Sequence, residues 1–276
     1  MLLMLLTTLA LPASARELDV IYPSINERPA GDYGYRVLEL ALAKSGERYR
    51  LQRSSAKMNV RRAKAEIVAG RISVIDIGTS REHEESLRPV YFPIDRGLSG
   101  YRLFVIHREL ADAFATVRDV TDLRRYKAGQ GPGWADAQIL EAAGITVITA
   151  PFESLFAMVD GRRFDFFPLG VEEVFDFLDR YRDRAPHSII EPQLAIHYPF
   201  ARLFFVRRDD TALHDALLTG LRRALADGSL QRLLDDTMFG RGWRQSRLAH
   251  RRIIRLENPL LTEAFQAMPK AYFIQP

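Results

Sequence analysis

The chain has 276 residues, 47% of them hydrophobic and 27% charged, the proportions of an ordinary folded protein and enough length for one large or two medium domains. Lys and Arg exceed Asp and Glu by four, but the arginine pairs (Arg61-Arg62, Arg124-Arg125, Arg162-Arg163, Arg251-Arg252) are scattered, so the clustered basic face that nucleic acid requires is not expected. The absence of cysteine excludes a disulfide framework, a thiol nucleophile, thiolate metal sites and a lipid-modified cysteine.

The opening MLLMLLTTLALPASA joins an apolar run to the small residues Ala13-Ser14-Ala15. It reads as a signal peptide cleaved after Ala15, though without the usual basic n-region, and it predicts a periplasmic, secreted protein. No later apolar run is long enough to span a bilayer.

From Leu18 to Tyr22 the chain reads as a strand ended by Pro23. Tyr33 to Ser45 carries Val37, Leu38, Ala41 and Leu42 at helical spacing before Gly46, Tyr49 to Arg53 predicts a second strand, and Lys57 to Ala69 a second helix. The β-branched stretch Ile72 to Ile77 closes this run of alternating elements. The stretch Tyr91–His107 then carries the chain out of one lobe, and Gln193–Arg207 is its return partner. Between them a second alternation follows: a short helix near Asp119–Arg125, a tight loop at 129–133, helices at 134–143 and 153–161, strands at 145–149 and 164–169, and a helix from Val171 to about Arg182. After the return come the strand Arg202–Val206, a helix over Thr211–Ala226 with leucines four apart, and a short helix from Leu230. The segment from Gly240 to Pro276 is basic and then Pro-rich, and its apolar pairs predict a tail wrapped on the first lobe.

These elements predict an α/β protein of two lobes, each a mostly parallel sheet flanked by helices, joined by two crossover strands. The division is 1–15 for the signal peptide, 16–100 plus 201–276 for a discontinuous first lobe, and 101–200 for an inserted second lobe. A cleft between such lobes is a ligand trap, and ligands of open α/β sheets lie at the carboxyl ends of strands. That selects Tyr22 after the first strand, Gly78 to Ser80 after the third, and Gln130 to Trp134 in the second lobe. Gln130 and Gly131 precede a helix whose free N–H groups suit an anion. Trp134 serves either the ligand or the core, and Tyr33 either stacks on a ligand or covers the sheet.

Four stretches in order, Val68–Val74, Asp122–Gly131, Val159–Asp165 and Leu213–Phe239, resemble the amino-acid-binding family of periplasmic solute-binding proteins (bacterial solute-binding family three, type II periplasmic-binding fold). The resemblance spans nearly all of the chain beyond residue 15. It implies a receptor, acting as a monomer and without cofactor, that closes on a small polar ligand, an amino acid or related carboxylate, and delivers it to the permease of an ABC transporter. It also implies an arginine clamp for the ligand carboxylate, matched here by Thr79-Ser80-Arg81, because a guanidinium presents a planar fork to a carboxylate. The alternative for Arg81 is a surface pair with Glu84 or Glu85, and Arg96 and Arg102 near the crossover are rival clamps. Where the family commonly has an aspartate for the ligand ammonium this chain has Gly170, with Glu172 and Glu173 beyond. Glu172 either substitutes for it or stabilises a helix N-terminus.

No metal spacing, dinucleotide fingerprint or nucleophile elbow is present among the six histidines, Gly129-x-Gly131 or Ser99. Two alternatives stay open. One is an enzyme on the same fold, resembling dehydratases of cyclohexadienyl acids, with Glu172 or Glu173 as general acid. The other is a ligand-binding partner of a membrane sensor kinase.

Overall fold

In the computed structural model, residues 17–25 and 32–275 are described; the segment read as a signal peptide lies outside them. Among them, no helix is long and apolar enough to cross a membrane. The chain order is β1 (Leu18–Ile25), α1 (Tyr33–Ser45), β2 (Tyr49–Met58), α2 (Val60–Val68), β3 (Val74–Gly78), α3 (Arg81–Ser86) and β4 (Arg88–Val90), then β5 (Tyr101–His107) into the second lobe. There follow α4 (Ala111–Ala115), α5 (Val120–Leu123), β6 (Lys127–Gln130), α6 (Ala135–Ala142), β7 (Thr146–Thr149), α7 (Phe152–Asp160), β8 (Phe166–Gly170), α8 (Val174–Arg180), β9 (Ser188–Ile190) and β10 (Leu194–His197). The chain returns through β11 (Arg202–Val206), α9 (Thr211–Ala226), α10 (Ser229–Asp235), α11 (Met238–Ser246), β12 (Arg252–Arg255) and α12 (Glu263–Gln266).

Local chemistry sets these boundaries. Asp32 caps α1 by accepting from the Tyr35 N–H, and Gly46 ends it at φ 91°, a left-handed turn that a glycine adopts without Cβ strain. Asn59 caps α2 in the same way through Arg62 N–H, so the strand before it runs on to Met58 and the helix begins at Val60 instead of Lys57. Pro23 does not end β1. Its missing N–H is absorbed by a register shift against β2 between Tyr22 and Ser24, after which Ser24 bonds Ser54 by N–H to Oγ at 2.9 Å and by Oγ to the carbonyl at 2.7 Å.

In the first lobe β1 pairs with β2, and β11 lies between β3 and β4. Ser73 ties β1 to the start of β3 by donating its N–H to the Ile21 carbonyl and accepting the Ile21 N–H on Oγ, each at 2.9 Å. The second sheet has the order β12-β10-β5-β8-β6-β7, with β9 also on β5. The two-lobe α/β class is as expected, but strand direction is mixed where mostly parallel sheets were expected. The pairs β1–β2, β6–β7, β6–β8 and β10–β12 are parallel, whereas β5 and β11 run antiparallel to all of their partners. These are the strands that lead into the inserted lobe and back, and a chain that leaves and re-enters beside itself must reverse direction.

The helix pair α1–α9 covers one face of the first sheet, with Val37, Leu38, Ala41, Leu217 and Leu221 fully buried. Gly220 makes the close approach possible, since a Cβ there would overlap the Ala41 carbonyl. The C-terminal segment corrects the expectation of a tail confined to the first lobe. Strand β12 pairs with β10 on the edge of the second sheet, offering Ile253 and Ile254 a partner of their own kind in β10. Only then does the chain recross, seating Leu261, Phe265 and Met268 in the first-lobe cluster of Ile67, Ile75 and Phe205.

Candidate functional site

The cleft is built where the crossing segments meet the carboxyl ends of β3 and β8. A cavity of about 300 Å³ opens there, lined by Gly78 of β3, Ser99 and Arg102 of the outward crossing, Trp134 and Asp136 at the start of α6, Pro168, Leu169, Glu172 and Glu173 around the end of β8, and Phe200 and Arg202 of the return. Each crossing thus delivers one arginine at or near the start of a strand, because β5 begins at Tyr101 and β11 at Arg202.

The two arginines are held differently. Arg102 is buried, with Nη2 3.0 Å from Asp136 Oδ1 and Nε donating to the Tyr198 hydroxyl at 2.8 Å, and that hydroxyl donates on to Asp136. The Tyr198 and Phe200 rings flank the guanidinium at 5.6 and 5.7 Å. Burial alone would make Arg102 easier to deprotonate, yet the charges of Asp136, Tyr198 and the two glutamates outweigh it and hold the group firmly cationic. Arg202 pairs through Nη2 with the wholly buried Asp76, which also accepts from Tyr22 OH. Its Nε is buried without a hydrogen-bond partner among the described residues.

The carboxylates face these cations. Asp95, fully buried, accepts from the N–H groups of Gly97 (3.1 Å), Ser99 (3.2 Å) and Arg202 (3.3 Å), so it pins the two crossings to each other. Burial pushes its carboxyl up against those hydrogen bonds. Glu172 accepts from Ser99 Oγ at 3.0 Å on one oxygen, while the other, Oε2, has no partner among the described residues. Glu173 accepts from Gly170 N–H at 3.3 Å. Burial raises both carboxyls; Arg102 opposes this at Glu172, while at Glu173 the neighbouring Glu172 charge adds to it and the group is pushed up to about 7. Gly170 sits against both the Glu172 carboxylate and Arg102 Nη1, and a Cβ there would overlap them. The residue standing where the resembled family commonly carries an aspartate has no room for a side chain, and Glu172 fills that space from the following turn.

Of the residues singled out from the sequence, Trp134 and Glu172 line the cavity, and Gly131 lies beneath the Trp134 ring. Gln130 is buried one layer behind, donating Nε2 to the Pro168 carbonyl at 3.3 Å, with Oε1 unpartnered among the described residues. Tyr22 is also behind the wall, on Asp76 and, at 3.2 Å, on Asp32. The rest lie elsewhere. Tyr33 donates to the Ile94 carbonyl at 2.6 Å and packs its ring on Phe239. Thr79 donates to Glu84 at 2.6 Å, and Ser80 caps α3.

Arg81 is the main correction. The turn after β3 contains only Thr79 and Ser80 before α3 begins, so Arg81 is carried out on the first helical turn, exposed, with Nη2 3.5 Å from the Leu261 carbonyl. Nor does it pair with Glu84, whose carboxylate takes Thr79, Tyr91 (2.7 Å) and Thr262 (2.6 Å). Of its rivals, Arg96 is spent on the tail carbonyls of Tyr272 (2.8 Å) and Ala271 (3.2 Å), and Arg102 is in the cavity. Sequence reasoning missed Asp136, Arg202 and Phe200 as lining residues. The available signal was the matching position of an arginine in the two crossing stretches, Tyr101-Arg102-Leu103-Phe104 and Ala201-Arg202-Leu203-Phe204.

No group of three or more His, Asp or Glu residues suited to a metal ion occurs among the described residues. The fold, two α/β lobes with paired crossings, is shared with solved structures of amino-acid-binding proteins. One is the extracellular-binding protein YtmK of a probable amino-acid ABC transporter of Bacillus subtilis, with a TM-score of 0.57, 16% identity and coverage of 81% of this chain and 97% of that one. A second, from work on glutathione import through GshT and the cystine importer TcyBC of Streptococcus mutans, gives 0.56, 10%, 81% and 95%. A third, an ancestral arginine-binding protein bound to arginine, gives 0.52, 15%, 81% and 99%. No protein-family model matches the sequence, and no curated protein matches it.

Proposed function

We propose that this chain is a periplasmic solute receptor that closes its lobes on a small zwitterion, an amino acid or a relative of one, and presents it as a monomer to an ABC-type permease. The observation that carries this reading is that one cavity is lined by both Arg202, whose Nε has no hydrogen-bond partner among the described residues, and Glu172, whose Oε2 has none there either. A carboxylate meets the first and an ammonium the second, and buried charged groups gain most from such partners. The lobes are residues 16–100 with 201–276, and 101–200, with β12 placed by the tail on the second. Residues 1–15 serve as the secretion signal.

A thermal-shift screen of the purified protein against amino acids and small carboxylates tests it. A hit is expected to be lost in Arg202→Gln and retained in Arg81→Ala; the converse pattern, or silence across the panel, contradicts the reading. The raised Glu173 carboxyl is the one observation favouring dehydratase-like chemistry, and recovery of the hit unchanged, by NMR after incubation, excludes it.

A further inference from the structure

A second and larger cavity, of about 560 Å³, lies on the other side of the crossings, between them and the C-terminal segment 265–275. Its chemistry differs from that of the cleft. The wall is apolar, formed by Phe200, Phe265, Met268 and Phe273, and no aspartate or glutamate lines it. Arg255 and Lys270 do, and neither has an ion pair or side-chain hydrogen bond among the described residues. Tyr101, 1% exposed, also lines this space, and its buried hydroxyl has no hydrogen-bond partner among the described residues. A buried hydroxyl without a partner costs stability, so its retention calls for a polar group opposite it. Arg255 is close enough for its charge to weigh on both Tyr101 and His197, and burial with that charge pushes the His197 ring down to about 4, leaving it neutral.

We propose that this cavity is a second binding site, for a small monoanion with an aromatic or branched apolar body. The anionic group meets Arg255 and Lys270, Tyr101 donates its hydroxyl, and the apolar body packs on the phenylalanine wall. The site is distinct from the cleft, with Phe200 as the partition lining both. Tyr101 and His197 are also register partners on β5 and β10, so an occupant touches both strands beside the crossings.

Calorimetric titration with phenylacetate and with its neutral counterpart phenylacetamide tests this on the full chain. Phenylacetate is expected to bind saturably, about tenfold or more tighter than the amide, because the charge-assisted contacts are lost with the carboxylate. The double variant Arg255→Gln/Lys270→Gln, which removes two exposed cations without disturbing the core, is expected to lose a similar factor, and Tyr101→Phe a smaller one. Arg202→Gln is expected to leave phenylacetate binding intact. Equal affinity for the amide, indifference to the double variant, loss in Arg202→Gln, or no saturable heat up to about 10 mM overturns the proposal.

Discussion

At the scale of single residues, the cleft owes its character to charges kept in one another's company. Arg102 is neutralised by Asp136, and Arg202 by Asp76, so each cation is held in place at the cost of desolvation that its partner offsets. Glu173 has no such cationic partner at hydrogen-bonding distance among the described residues. Its carboxyl is raised from about 4.5 to about 7, first by burial and then by the charge of Glu172. The folded state therefore holds a proton that the unfolded chain has released between those values, and stability falls as pH rises through that window and stays low above it. Glu173→Gln is expected to flatten the dependence of Tm on pH between about 4.5 and 7 and to raise Tm above the parent on the alkaline side. A variant whose Tm follows the parent at every pH would show that Glu173 is not the group responsible.

At the scale of elements, close helix contacts fix where the crossings emerge. The α1–α9 contact depends on Gly220, and Gly220→Val drives a branched side chain into the Ala41 backbone. It is expected to cost about 1–3 kcal/mol, read as a lower urea midpoint at unchanged slope. The elements themselves were legible where the signal was local. Leucines four apart and the Gly228 break give α9 at Thr211–Ala226 to the residue, and the β-branched run gives β3. The short α3 was not legible, because its six residues are polar and its cap, Ser80, looked like a ligand contact. Nor was β12, whose four residues are a strand only because β10 offers its edge. In the cleft, Trp134 was selected because strand ends attract ligands and Glu172 because it follows Gly170, where the resembled family commonly has an aspartate, and both line the cavity, whereas Arg202 joins it only through a crossing that brings together segments a hundred residues apart in sequence.

At the scale of the whole molecule, the tail changes how the lobes are joined. Besides the two crossings pinned by Asp95, the chain passes to the second lobe at β12 and back again at Leu261. Helix α11 adds a further bridge, with Phe239 on Tyr33 of the first lobe and Gly242 against the Val171 carbonyl of the second. The closure proposed above would have to bend several passages together, which favours a small rotation over a wide swing. Closure on a solute is read by small-angle X-ray scattering of the protein with and without a compound that raises its Tm. The radius of gyration is expected to fall on saturation in the parent and to stay unchanged in Arg202→Gln. A solute that binds tightly while leaving the parent's scattering curve unaltered would contradict closure.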